Sequence, residues 1–187
     1  MPINQIHEYL ERLSNLTRNE ARRAGAKYDL LPVQIDALHY LVICNRYSDT
    51  LMGVAEYLGQ TKGTISQSLK VLEKKGYLKK YPDKKDKRTV HLRVSKAGKK
   101  VLEELIPSPI LHNAYGLLHA NIQNQLIDDL RELLRAIQQS NGMKTFGVCH
   151  NCRHNQPTKF GALCALTQEP LSQDDIQLIC RDHDFAA

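Results

Sequence analysis

A chain of 187 residues with 42% hydrophobic side chains can build one ordinary domain and an appendage, and 6% aromatics with no Trp make its core aliphatic. No apolar run approaches the roughly 18 residues of a membrane span, and the start MPINQIHEYLERL lacks the apolar middle of a secretory signal, so a cytoplasmic location is expected. The net charge of +6 is unevenly spread: residues 60–100 hold 14 Lys/Arg against 3 Asp/Glu, a net of +11, while the remainder stands at −5. Such a basic block is the electrostatic footprint of a phosphate-backbone binder, although a solvated lysine-rich surface gives the same count. In a reducing compartment, five cysteines point to metal or redox chemistry rather than disulfides.

Over residues 3–24, Ile6, Tyr9, Leu10, Leu13 and Leu16 recur at helical spacing, and Gly25 breaks the pattern. A second helix spans 32–45, with Pro32 in its first turn and Ile35, Leu38, Leu41 and Val42 as its apolar positions. Cys44 in that run reads as core filling. A short helix over 51–58 ends at Gly59, and Thr61 caps another over 62–75 whose buried stripe is Ile65, Leu69 and Leu72. Two short helices joined by a glycine-containing turn form a helix-turn-helix. Tyr77 and Leu78 then start a strand, PDKKDK is a turn by composition, and Val90, Leu92 and Val94 alternate with polar neighbours over 89–95. A basic hairpin behind a helix pair predicts a winged helix. Ser95 caps a further helix, the PSP at 107–109 interrupts it, and helical character returns over 110–118. The last long helix carries Leu126, Ile127, Leu130, Leu133, Leu134 and Ile137 before Gly142 stops it. The apolar faces of the first and last long helices are candidates for packing against a second copy of the chain.

The stretch from LMGVAEYLG through LEKKGYL to DKRTVHLRVSKAG resembles the MarR family of bacterial winged-helix transcription regulators, and with the flanking helices the resemblance takes in about 140 residues. It implies a mainly α fold with a small β-hairpin wing. The expected organisation is an N-terminal dimerisation helix over 1–30, a winged helix-turn-helix over 31–95, dimerisation helices over 96–141 and a Cys-rich extension over 142–187. On the polar face of the second helix of the pair stand Lys62, Thr64, Ser66, Gln67 and Lys70, with Thr61 at its cap. The start of a recognition helix enters the major groove. Gln67 suits adenine edges and Lys62 guanine or phosphate, while Thr64, Ser66 and Ser68 suit phosphate oxygens. In the wing, Asp86 and Arg88 fit the family's Asp-x-Arg pattern, which implies that Arg88 enters the minor groove with its guanidinium held by Asp86. Closing the turn is their plainer role. Lys84, Lys85 and Lys87 would add phosphate contacts. The resemblance further implies a homodimer on a near-palindromic site in double-stranded DNA. No nucleotide-binding glycine loop or nucleophile–base pair speaks for an enzyme.

Beyond residue 141 the chain carries four of its five cysteines, Cys149, Cys152, Cys164 and Cys180, spaced C-x2-C-x11-C-x15-C. A C-x2-C pair sets two thiolates on one ion, and two later cysteines complete four ligands, which suits an iron–sulfur cluster or zinc. One pair joined by two isolated cysteines leans towards iron–sulfur; free thiols or a disulfide switch are the third option. His150, His154 and His183 are alternative ligands, or donors behind the ligands, with a solvated or structural role the plainer reading. FGALCALTQEPL reads as a loop, Ser172 and Asp175 as a capping box, and Ile176, Ile179, Cys180 and His183 as one helical face turned towards the CHNC turn. The sequence thus predicts a DNA-binding regulator whose tail packs on the dimer helices and senses metal or redox state. The alternatives are a regulator with a small-molecule effector and a purely structural zinc tail, and a metal-centred redox protein.

Overall fold

The computed structural model describes residues 1–84, 86–159 and 161–185. Helix α1 (Pro2–Gly25) keeps the apolar stripe read from its sequence, but the stripe is exposed, and only Glu20 and Gly25 of the helix are buried. At Gly25 a Cβ would stand 2.5 Å from the Leu30 carbonyl oxygen, so the chain can double back tightly only without a side chain there. Helix α2 (Pro32–Ile43) begins with Pro at its first position, and the Gln34 side chain accepts from the Leu31 N–H at 2.9 Å. It is the centre of the core: Ile35, Ala37, Leu38, Tyr40 and Leu41 are all buried.

Helices α3 (Leu51–Tyr57) and α4 (Lys62–Lys74) form the helix pair. Thr50 and Thr61 cap them, their Oγ1 atoms accepting from the N–H groups of Gly53 and Thr64. Ile65, Leu69 and Leu72 face the core, and Gly76 (φ 75°) lets the chain leave α4. Strands β1 (Leu78–Pro82) and β2 (Val90–Val94) pair antiparallel in the register Leu78↔Val94, Lys80↔Leu92 and Pro82↔Val90. The first strand runs to Pro82, so the turn begins one residue later than its composition suggests. Leu92 also donates its N–H to the Asp49 carbonyl at 2.8 Å, tying the hairpin to the loop before α3. Helix α5 (Lys96–Leu105), capped by Ser95, closes the core with Val101, Leu102 and Leu105. Helices α6 (Pro109–Gly116) and α7 (Ala120–Ser140) bury no residue at all in the single chain. None of the described helices is long and apolar enough to cross a membrane.

The tail departs from its sequence reading in three ways. The stretch read as a loop carries two strands, β4 (Gly161–Cys164) and β5 (Glu169–Leu171), which join β3 (Asn155–Thr158) in a three-stranded antiparallel sheet of order β3-β4-β5. Its strands are only 4, 4 and 3 residues long, too short for alternation to stand out from composition. Helix α8 (Gln173–Gln177) has the capping box between Ser172 and Asp175, but it ends at Gln177, so Cys180 lies on an extended strap and not on a helical face. The tail also docks mainly on the α2–α3 junction rather than on the long helices α1 and α7. Ile179 forms a parallel bridge with Cys44 and an antiparallel one with Val148. Contacts with α7 are few: Arg135 lies over the Phe185 ring at 4.3 Å, and Gln138 donates to the Thr145 carbonyl.

Candidate nucleic-acid interface and cysteine cavity

The outer face of α4 follows from its helical period. With Ile65, Leu69 and Leu72 turned inward, Thr61, Lys62, Thr64, Gln67 and Lys70 are exposed, and Ser66 is half-buried. Ser68 is a correction. It is buried, and its hydroxyl donates to the Thr64 carbonyl at 3.0 Å, because it sits beside Leu69 and Leu72 on the core side of the helix. Thr64 is partly engaged as well, since its hydroxyl shares a 2.9 Å hydrogen bond with that of Thr61 at the cap.

In the wing turn, Arg88 grips Asp86 with both ends of its guanidinium, Nε to Oδ1 at 3.0 Å and Nη2 to Oδ2 at 3.2 Å, and its backbone N–H donates to the same carboxylate. These bonds from Arg88 hold the Asp86 carboxyl below its ordinary pKa. The Arg88 side chain is nonetheless 91% exposed. The pair therefore fixes the direction of a guanidinium without covering it. Lys84 and Lys87 are exposed beside it, and Lys85 lies outside the described residues. His91 anchors the base of the wing, with Nδ1 2.5 Å from Asp49 and Nε2 3.0 Å from Asp83. Burial is the largest single effect on His91 and opposes its charge, but the two carboxylates together outweigh it and raise its pKa. Sequence reasoning missed this residue because its partners lie 42 and 8 positions away.

The four tail cysteines line one cavity of about 20 Å³, although they come from the turn at Cys149–Asn151 and its end, the last residue of β4, and the strap after α8. Cys149 and Cys152 are buried, while Cys164 and Cys180 are half-buried. The hydrogen bond from Cys149 is the largest of the effects that lower the Cys180 pKa, and the same bond raises that of Cys149. Asn45 is a buried hub missed in the sequence: Nδ2 donates to Cys149 Sγ at 3.2 Å, while Oδ1 accepts from the Tyr47 N–H and the Ser48 hydroxyl. His183 is buried with both ring nitrogens engaged, by the Thr145 hydroxyl and by Asn151 Oδ1, which makes it structural. Among the described residues, no three His, Cys, Asp or Glu side chains are grouped closely enough to hold a metal ion. Cys44 is buried in the main core, as read, and burial pushes its thiol up to about 12.

Residues 28–89 match the sequence profile of the MarR family. An uncharacterised HTH-type transcriptional regulator of Bacillus subtilis (strain 168), YwaE, is 39% identical over 114 residues, covering 57% of this chain and 66% of that protein, just under two thirds of its length. The winged-helix part of the chain is therefore similar to the MarR family. That family is one of transcription regulators, not enzymes. Solved MarR-type structures share the fold. The MepR–DNA complex of S. aureus superposes with a TM-score of 0.57 at 24% identity, over 69% of this chain and 96% of that one. A MarR regulator from Methanosarcina mazei Go1 superposes with 0.64 at 17% identity, over 73% and 98%.

The MarR profile takes in the helix pair and the wing turn, and stops well short of the cysteine tail. The chain has one further feature outside its tail. A cavity of about 720 Å³ opens between α1, the start of α2 and the α5–α6 junction, with Arg18, Arg22, Asp36 and Leu111 in its wall. It reaches Gln60 and Thr64, at the turn that leads into α4.

Proposed function

We propose that this chain is a homodimeric regulator that binds a near-palindromic site in double-stranded DNA in the cytoplasm, and that its extension holds a metal centre, zinc or iron–sulfur. The observation that carries the DNA reading is the joint presentation of an exposed polar α4 face and a clamped, exposed Arg88 in a block of net charge +11. Lys62 and Gln67 reach base edges, Thr61, Thr64, Ser66 and Lys70 the flanking phosphates, and Arg88 the minor groove. Lys84, Lys85 and Lys87 add backbone contacts. MepR, which shares the fold, has been crystallised on DNA.

The dimer rests on apolar surface without a partner in the single chain. Ile3, Tyr9 and Leu13 of α1, and Ile127, Leu130 and Leu134 of α7, are each between 47% and 66% exposed. Covering such a side chain contributes about 1.5–3 kcal/mol when complete, so two long bare helices favour self-association. Sedimentation should give a dimer at micromolar concentration. The direct test is binding to a selected duplex as salt is varied. Arg88→Ala should weaken binding and lower the log–log salt slope by about one. Unchanged affinity across Lys62→Ala, Gln67→Ala and Arg88→Ala would overturn the reading.

The cavity of about 720 Å³ favours a second layer, an organic effector that acts on α4 through Gln60 and Thr64. Titrating aromatic and amphipathic small molecules against DNA binding tests it, and Leu111→Trp, which narrows the cavity, should abolish any response.

A further inference from the structure

Four thiols separated by up to 31 positions in sequence converge on one cavity of about 20 Å³. That is space for the centre of one small ion, and a lone ion fits it better than a cluster of several iron and sulfide atoms. The sulfurs are also supplied with donors. Asn45 Nδ2 stands 3.2 Å from Cys149, and the Asp184 N–H stands 3.5 Å from Cys152. N–H donors stabilise thiolates, the form in which cysteine binds metal. Asn155 lines the same cavity, and its Oδ1 is the one buried side-chain acceptor among the described residues without a hydrogen-bond partner. His183 is already committed to Thr145 and Asn151, which leaves the cysteines as the donor set. The sulfurs must draw inward to reach the roughly 2.3 Å of a zinc–thiolate bond.

The strap that carries Cys180 is fastened on both sides of it to the winged helix. Before it, Ile179 donates to the Ile43 carbonyl and accepts from the Asn45 N–H, both at 2.9 Å. After it, Arg181 donates its N–H to the Ser48 hydroxyl at 2.8 Å, and its guanidinium grips Glu56 of α3 with two bonds of 2.7 Å. Lys144 joins the same carboxylate at 2.7 Å, and the Phe146 ring packs edge-on against Tyr40 and Tyr57. Tyr57 and Glu56 belong to α3, the helix on which α4 is braced.

We infer that Cys149, Cys152, Cys164 and Cys180 bind a single thiolate-preferring divalent ion of the zinc class, and that the ion fixes α3 through the Ile179–Arg181 strap. Each thiol loses its proton on binding, so loading releases protons and favours neutral over acidic pH. Removing the ion frees Cys180, slackens the strap and releases Glu56. The consequence for DNA rests on the regulator reading above; the ion assignment does not.

The test uses the full chain, purified without added metal. Zinc at one ion per chain with no visible absorption is expected. Iron with acid-labile sulfide and a visible spectrum would overturn the single-ion assignment, and a metal-free chain would overturn the site. Amide hydrogen exchange is then followed as a chelator removes the ion and zinc restores it. Protection in residues 51–57 should fall and recover. A loss confined to the tail would overturn the coupling. Glu56→Gln keeps every cysteine, so it should bind zinc at the same ratio while α3 exchanges fast with or without chelator; wild-type exchange in this variant would also overturn the coupling. Failure of every form to bind DNA would remove the regulator reading and leave the ion assignment standing.

Discussion

The α4–wing face and the cysteine cavity are built by opposite means. The face is a set of exposed side chains on elements that each announce themselves locally, by a cap, a period or a turn. The cavity is a set of buried and half-buried side chains on a tail that the Cys44–Ile179 bridge joins to a segment more than 100 positions away. The first kind of site tolerates loss of one member with little effect on folding, because its members are solvated. The second kind shares partners, so removing one member leaves others buried and unpaired.

Four substitutions or titrations probe that difference. The largest effect is expected at Arg88. Arg88→Ala should weaken binding to a selected duplex about 10- to 100-fold, with thermal stability unchanged. Arg88→Lys should recover little of it, because a lysine cannot reproduce the fork that Asp86 orients. A fall in melting temperature would instead make the Asp86–Arg88 pair a turn-closing device. Next comes Asn45→Ala, which strands the Ser48 hydroxyl, the Tyr47 N–H and Cys149 together. A loss of about 2 kcal/mol, read by urea unfolding, is expected for groups left unpaired in a buried setting. Stability equal to wild type would show that the junction between tail and winged helix is loose.

Glu56 gives a smaller, pH-dependent effect. The Arg181 bonds, and after them Lys144, hold its pKa down to about 2 from an ordinary 4.5. A depressed folded pKa means that the stabilisation is present above pH 4.5 and is lost as pH falls towards 2. With its side chain 27% exposed, screening leaves roughly 1–2 kcal/mol of it. Unfolding followed between neutral and acid pH should show this loss in wild type and not in Glu56→Gln. The smallest effect belongs to His91. Its folded pKa is raised, so the hold of Asp49 and Asp83 on the wing is complete below about pH 6.5 and fades as pH rises through the raised value. Exchange protection of the β1–β2 amides should decline over that range, and His91→Gln should remove the dependence.

The winged helix was legible because its signals are local. Thr61 caps α4 and Gly76 ends it where the sequence places them, and the period of Ile65, Leu69 and Leu72 decides which residues face outward. Even there, Ser68 was misplaced, because a serine next to the core stripe satisfies itself on its own helix and can turn inward. In the tail, the cysteine spacing marks four residues as a set, and all four line one cavity. The spacing did not show what the tail rests on. That depends on Ile179 adding itself as a strand beside the exit of α2, and on Arg181 reaching Glu56, a pairing across 125 positions that no local pattern encodes. Asn45 and His91 escaped for the same reason: each reads as an ordinary loop or strand residue until its distant partners are in place.

The most direct test of the regulator reading is a selection of bound duplexes from a random pool by the full-length chain. The account predicts an enriched inverted repeat whose half-site centres lie about one helical turn apart, and its loss when Gln67→Ala and Arg88→Ala are combined. No enriched sequence, or a repeat that survives the double substitution, would contradict it.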